Sequence, residues 1–223
     1  LASMPCAATD FRIFWDNAYC VHHLYDTRQA HVADIAEACE KAGNPNRYFK
    51  FASTSKVTFP GAGIAAVAAS EENIAQIKKR VSIQTVGYDK INQLRHVRFL
   101  KDAQGISEHM KKHAEVIRPK FELVARMLEE GLSDTGCASW SNPDGGYFVS
   151  FDGLPNTAKR TVALAKGAGV TMTGAGATWP YKEDPEDSNI RIAPTLPPLE
   201  ELEQAMEVFV CCVKLAAVES LLA

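Results

Sequence analysis

Two short apolar runs, each closed by a polar cluster that carries chemistry, constrain this chain more than anything else in it. Phe11-Arg12-Ile13-Phe14-Trp15 favours a strand and ends on Asp16-Asn17-Ala18-Tyr19. Tyr48-Phe49-Lys50-Phe51-Ala52 favours another and ends on Ser53-Thr54-Ser55-Lys56. Between them, Ile35 to Lys41 reads as a helix stopped at Gly43-Asn44-Pro45-Asn46. Strand, helix, strand at this spacing predicts a βα unit and an α/β fold with a mostly parallel sheet. A Pro60-Gly61-Ala62-Gly63 turn then leads into the small-residue run Ile64–Ala69.

Long helical patterns follow, over Glu71–Arg80, Asp89 to Leu100 and Ser107 to Glu130. In the third, Ile117, Phe121, Val124 and Leu128 recur at steps of three or four. Beyond Gly131 and Gly136 the pattern changes. Gly145–Phe151 alternates like a strand, Thr157–Ala168 reads as helix, Val170-Thr171-Met172 as a short strand, and Asn189–Ala193 as a last strand. Leu199–Leu222 is a closing amphipathic helix. We therefore expect a first domain over residues 1–115 and a small α+β domain over residues 116–223, with the seam inside the long helix.

Composition narrows the partners. A formal net charge of -3 gives no electrostatic reason to expect nucleic acid or an anionic membrane. Hydrophobic residues make up 46% and mean hydropathy is -0.14, values of an ordinary soluble core. No apolar run nears a membrane span, no signal peptide is read, and a cytoplasmic location is expected. The six cysteines include no C-x-x-C pair; Cys211 and Cys212 are adjacent in a helical pattern and diverge too far to pinch a metal. Reduced, packed thiols and no metal site are expected.

In open α/β sheets ligands sit beyond the carboxyl ends of strands, where both polar clusters lie. Taken singly, Asp16 reads as a strand-end turn former and Lys56 as a solvated charge. Taken together with the isolated Asn189-Ile190-Arg191-Ile192 near the end, their order and spacing resemble the second half of the fold-type I pyridoxal-phosphate (PLP) aminotransferases. The runs STSKVTFPGAGIAAVAA from Ser53 to Ala69 and Asp89-Lys90-Ile91-Asn92-Gln93-Leu94-Arg95-His96 are similar to a bacterial aspartate-aminotransferase-like subgroup.

The resemblance implies the cofactor and the roles. Lys56 would bond PLP covalently, be displaced by the substrate amine and then shuttle a proton. Asp16 would keep the pyridine nitrogen protonated, Tyr19 would bond the ring 3-oxygen, Ser53 the phosphate, and Arg191 the substrate α-carboxylate. It also implies aspartate and 2-oxoglutarate as substrates, a homodimer, and 1–115 as the last part of the PLP-binding large domain. A kynurenine or broad-specificity aminotransferase and a PLP-sensing domain of a transcription regulator are the alternatives it leaves.

There is one departure and one gap. Many members of that family carry a phosphate-binding arginine shortly after the lysine, whereas Phe59–Ile64 has no cation. Either backbone N–H groups of the glycine-rich turn, with Ser55, take the phosphate, or the positive charge comes from elsewhere. The family's first half supplies a phosphate-capping loop, an aromatic that stacks on the ring and an asparagine for the 3-oxygen, all before the Asp-x-x-Tyr cluster. This chain therefore reads as a C-terminal half that needs the N-terminal half of the same protein, and as inactive alone.

Overall fold

A computed structural model describes residues 1–223. The chain divides into two units: residues 1–21 with 30–110, and residues 22–29 with 111–223.

In the first unit, strand β1 (Ile13–Asp16) pairs parallel with β2 (Tyr48–Ser53), Ile13 opposite Tyr48 and Asp16 opposite Phe51. A parallel pair needs a crossover, and helix α1 (Ile35–Lys41) provides it. Asp34 starts that helix: its carboxylate accepts from Ala36 N at 2.8 Å. Ile13, Ile35, Cys39 and Tyr48 form the buried cluster beneath the crossover. The sheet is mixed rather than mostly parallel, because β3 (Ala65–Ala69) returns antiparallel along β2, Ser53 opposite Ala65. The Pro60–Gly63 turn makes a hairpin: Thr54 N donates to Ile64 O (2.9 Å), and Ile64 N donates to Thr54 Oγ1 (2.9 Å). Helices α2 (Glu71–Gln84) and α3 (Lys90–Leu100) follow, capped by Ser70 and Asp89 through the N–H groups of Asn73 and Asn92.

Helix α4 (Ala103–Leu132) runs through both units, and the division falls between Met110 and Lys111. In the second unit, β4 (Ala138–Trp140), β5 (Val149–Gly153) and β6 (Asn189–Ile192) form an antiparallel sheet in that order, with α5 (Ala158–Gly167) and α6 (Leu199–Leu222). The α4 stripe of Ile117, Phe121, Val124, Leu128 and Leu132 packs on Val149, Phe151, Ile190 and Ile192 and on Met206, Phe209 and Val213 of α6. Gly131 permits the close approach: a Cβ there would lie 2.6 Å from Val210 Cγ1. The segment 22–29 joins this unit through fully buried Leu24, whose N–H donates to Asp144 O (2.9 Å) and whose carbonyl accepts from Arg118 Nε (2.8 Å).

Val170-Thr171-Met172 forms no strand. Val170 N instead donates to Ala165 O (2.8 Å), closing the end of α5. No helix is long and apolar enough to cross a membrane.

Leu128 is fully buried in the second core. In the full-length protein, Leu128→Ala should cost about 2–5 kcal/mol in urea-unfolding stability, whereas a truncation on the solvent face should cost little. Leu222, 83% exposed, is the control. Equal midpoints for Leu128→Ala and Leu222→Ala would contradict this packing.

Candidate active site

Because β1 and β2 are parallel and in register, their carboxyl ends lie at one edge of the sheet. Asp16 is the last residue of β1 and Ser53 the last of β2. Past β1, Asn17 N donates to Phe51 O (2.8 Å) and Ala18 N to Asp16 Oδ1 (3.1 Å), which starts the turn that carries half-buried Tyr19. Past β2, Thr54 O accepts from Val57 N (3.0 Å) and Thr58 N (2.8 Å), and Lys56 sits on the resulting turn. Asp16 and Lys56 are exposed in this chain; Ser53 is half-buried. Four of the expected residues, Asp16, Tyr19, Ser53 and Lys56, thus belong to one end of one strand pair.

The turn after Lys56 is narrow. A Cβ on Gly63 would lie 3.1 Å from both Ser55 N and Ser55 Oγ, so any larger residue would have to push Ser55 back by a few tenths of an ångström. No cation stands in Phe59–Ile64. Arg95, on α3, lines a cavity of about 200 Å³ with Thr58, Phe59, Asn92, His96 and Phe99.

Arg191 belongs to the second unit, on β6 opposite Ser150 of β5. Its strand neighbours Ile190 and Ile192 are buried in the core, so alternation turns the arginine to the other face. There its guanidinium carbon lies 4.5 Å from the centre of the Phe148 ring, and its Nε is buried with no hydrogen-bond partner. A buried guanidinium N–H without an acceptor is uncommon and suits an incoming carboxylate.

The strand around it is firmly held. Buried Asn189 donates through Nδ2 to Asp152 Oδ1 (2.8 Å) and Ser150 Oγ (3.0 Å), and its Oδ1 accepts from Thr178 Oγ1 (2.6 Å). Asp184 fixes the approach to β6, accepting from Asn189 N (2.8 Å), Ser188 N (2.9 Å) and Glu186 N (3.1 Å). Desolvation pushes the Asp184 carboxyl up, but these backbone N–H groups together outweigh it and hold the group below the usual carboxylate range.

Sequence reasoning missed the residues that hold the Lys56 turn from behind: Thr54, Thr58, Asn92, His96 and His109. The one available signal was the Asp89–His96 run, whose Asn92 and His96 are four apart on α3 and therefore share a face.

A sequence model of the family described as aspartate amino-transferase matches residues 1–223. A relative from Mycolicibacterium smegmatis is 53% identical over 222 residues, covering 100% of this chain and 52% of its own. The aspartate aminotransferase of Corynebacterium glutamicum is 48% identical over 219 residues, 98% of this chain and 50% of its own. Among solved structures, an aspartate transaminase from Corynebacterium glutamicum superposes with a TM-score of 0.93 at 47% identity, over 98% of this chain and 51% of that one. The chain spans about half the length of the curated relatives it matches. With the family matched along its whole length, on a fold with the acid, the serine and the lysine at one strand edge, this chain belongs to the aspartate aminotransferase family.

Proposed function

We propose that this chain supplies the lysine, acid, phenol and carboxylate clamp of a PLP-dependent aminotransferase that moves an amino group between an α-amino acid, aspartate, and a 2-oxo acid, 2-oxoglutarate. The observation that carries this reading is the shared carboxyl edge of β1 and β2, from which Asp16, Ser53 and Lys56 extend. The residues fit the cofactor: an acid for a pyridinium, a hydroxyl at the end of β2 for a phosphate, and an amine on a tight turn for an aldehyde. When bound, PLP supplies an electron sink for the charge left at Cα when its proton departs.

The chain's own residues do the rest. The Asp16 carboxylate would keep the ring nitrogen protonated, and the Tyr19 hydroxyl would donate to the ring 3-oxygen. Ser53 Oγ would donate to the phosphate. Lys56 Nζ would hold the cofactor covalently and would carry the proton at Cα. Arg191 takes the α-carboxylate in its two-pronged fork, which holds the Cα–H bond in the reactive direction. In this reading the working protein is a cytoplasmic homodimer of longer chains, whose N-terminal half completes the cofactor pocket. The coverage of only half of each relative supports the longer chain. The exposed apolar residues Val86, Ile91, Val97 and Phe99 support further burial by other protein.

The test is chemical. Full-length protein purified with PLP should absorb in the visible, and borohydride reduction followed by peptide mapping should find the pyridoxyl group on Lys56. A label on Lys50, or on no lysine, overturns the reading at its centre.

A further inference from the structure

The Asp89–His96 run leaves buried His96 without a role in the chemistry above. Its ring nitrogens have distinct partners. Nδ1 is 2.9 Å from Asn92 O, which can only accept, so Nδ1 carries a proton. Nε2 is 3.0 Å from Thr54 Oγ1 and 2.9 Å from Thr58 Oγ1. Thr54 Oγ1 accepts from Ile64 N (2.9 Å) and lies 3.5 Å from Ile64 O, so its proton is better placed toward the imidazole. The Thr58 hydroxyl is shared between Nε2 and Thr54 O (3.2 Å). The imidazole thus donates at Nδ1 and meets both threonine hydroxyls at Nε2, the nitrogen that accepts in the Nδ1–H tautomer.

Those two threonines stand two residues before and two residues after Lys56. Neighbouring residues hold the same loop. Asn92 Nδ2 donates to Ala62 O (2.8 Å), and His109 Nε2 donates to Val57 O (2.7 Å). Phe99 packs edge-on against His109 with ring centres 5.2 Å apart. Lys56 itself is exposed, next to buried Val57, so the course of its turn is set by the residues that hold the backbone on either side of it, these polar anchors among them.

We propose that His96 is a positioning residue for Lys56: by joining the hydroxyls of Thr54 and Thr58 through Nε2, it fixes the turn and so the direction from which the lysine amine meets the cofactor. The proposal rests on the function proposed above. PLP is achiral, and its visible circular dichroism arises from being held in fixed chiral surroundings; that signal reads the rigidity of the lysine turn apart from turnover.

The experiment uses the full-length protein loaded with PLP, with His96→Phe and His96→Gln. Phenylalanine keeps a flat ring but offers no acceptor; glutamine restores a carbonyl oxygen at similar reach. For His96→Phe, dichroism per bound cofactor should fall about threefold and kcat about tenfold or more, with KM for the amino acid changed less than about twofold, since a small misplacement of a reacting group costs that much. His96→Gln should recover most of both. A His96→Phe protein that melts earlier but keeps wild-type dichroism and kcat overturns the proposal, as does a glutamine variant no better than phenylalanine. Should His96→Phe fail to fold, Thr58→Val removes one of the two hydroxyls at nearly constant volume. It should shift dichroism and kcat in the same direction, and wild-type values there overturn the proposal too. A wild-type protein without a borohydride-trapped Lys56 would sink the underlying function instead, so the two failures are distinguishable.

Discussion

Asp16→Asn is expected to leave PLP bound and to lower kcat by a factor on the order of 10³, because the charge that would keep the ring nitrogen protonated, and the ring an effective electron sink, is lost. The two side chains have nearly the same shape, and the turn contact that Ala18 N makes with Asp16 Oδ1 can persist to an amide oxygen. What changes is electrostatic. A carboxylate stabilises a protonated ring nitrogen, whereas an amide does not, and a neutral pyridine is a much poorer sink for the electron pair left at Cα. Binding should survive, since the link proposed for Lys56 and the contacts proposed for the phosphate would not pass through this residue. Tyr19→Phe makes the useful contrast: a lost hydroxyl contact to the 3-oxygen should chiefly move the pH at which the visible band titrates, with a smaller loss of rate. Absorbance titrations and kcat for both variants decide the matter. Equal and small effects from the two changes would contradict the roles proposed for them.

The features legible from local sequence are those that local physics decides. The β1 and β2 runs are apolar and end in polar clusters, α1 begins on a side chain that caps it, and α6 carries an apolar face from Leu202 to Ala217; each could be read without a partner in view. The order of Asp16, Ser53 and Lys56 along the chain became a shared edge only through the parallel pairing, which the crossover helix implied. Ala65–Ala69, by contrast, has no alternation to state its direction. Its antiparallel return depends on Thr54 hydrogen bonds that span ten residues and on Asn92, thirty residues away. Val170–Met172 has strand-forming side chains but no adjacent strand, so its first N–H closes a helix instead. β4 is three residues with an alanine and a serine, too short for a pattern. The His96 anchors join positions about forty apart, a relation that no local spacing encodes.

Arg191→Lys tests the substrate class most directly, and kcat/KM for every amino-acid substrate is expected to fall on the order of 10²-fold, with kcat itself depressed. The guanidinium is flat, lies over the Phe148 ring, and has a buried Nε–H without an acceptor. A carboxylate can take that N–H and a neighbouring one together, which fixes its plane as well as its position. The lysine ammonium is a point charge on a flexible stem: it keeps the attraction but loses the plane, and it stacks on Phe148 less well. Loss of orientation at the carboxylate rotates the Cα–H bond away from the reactive direction, so rate falls along with affinity. Every α-amino acid presents the same α-carboxylate, and the penalty should therefore be similar for aspartate and for alanine. The measurement is kcat and KM for both in wild type and variant. A variant that loses aspartate but spares alanine would make Arg191 a reader of the side-chain carboxylate, and the α-carboxylate would then need a different partner.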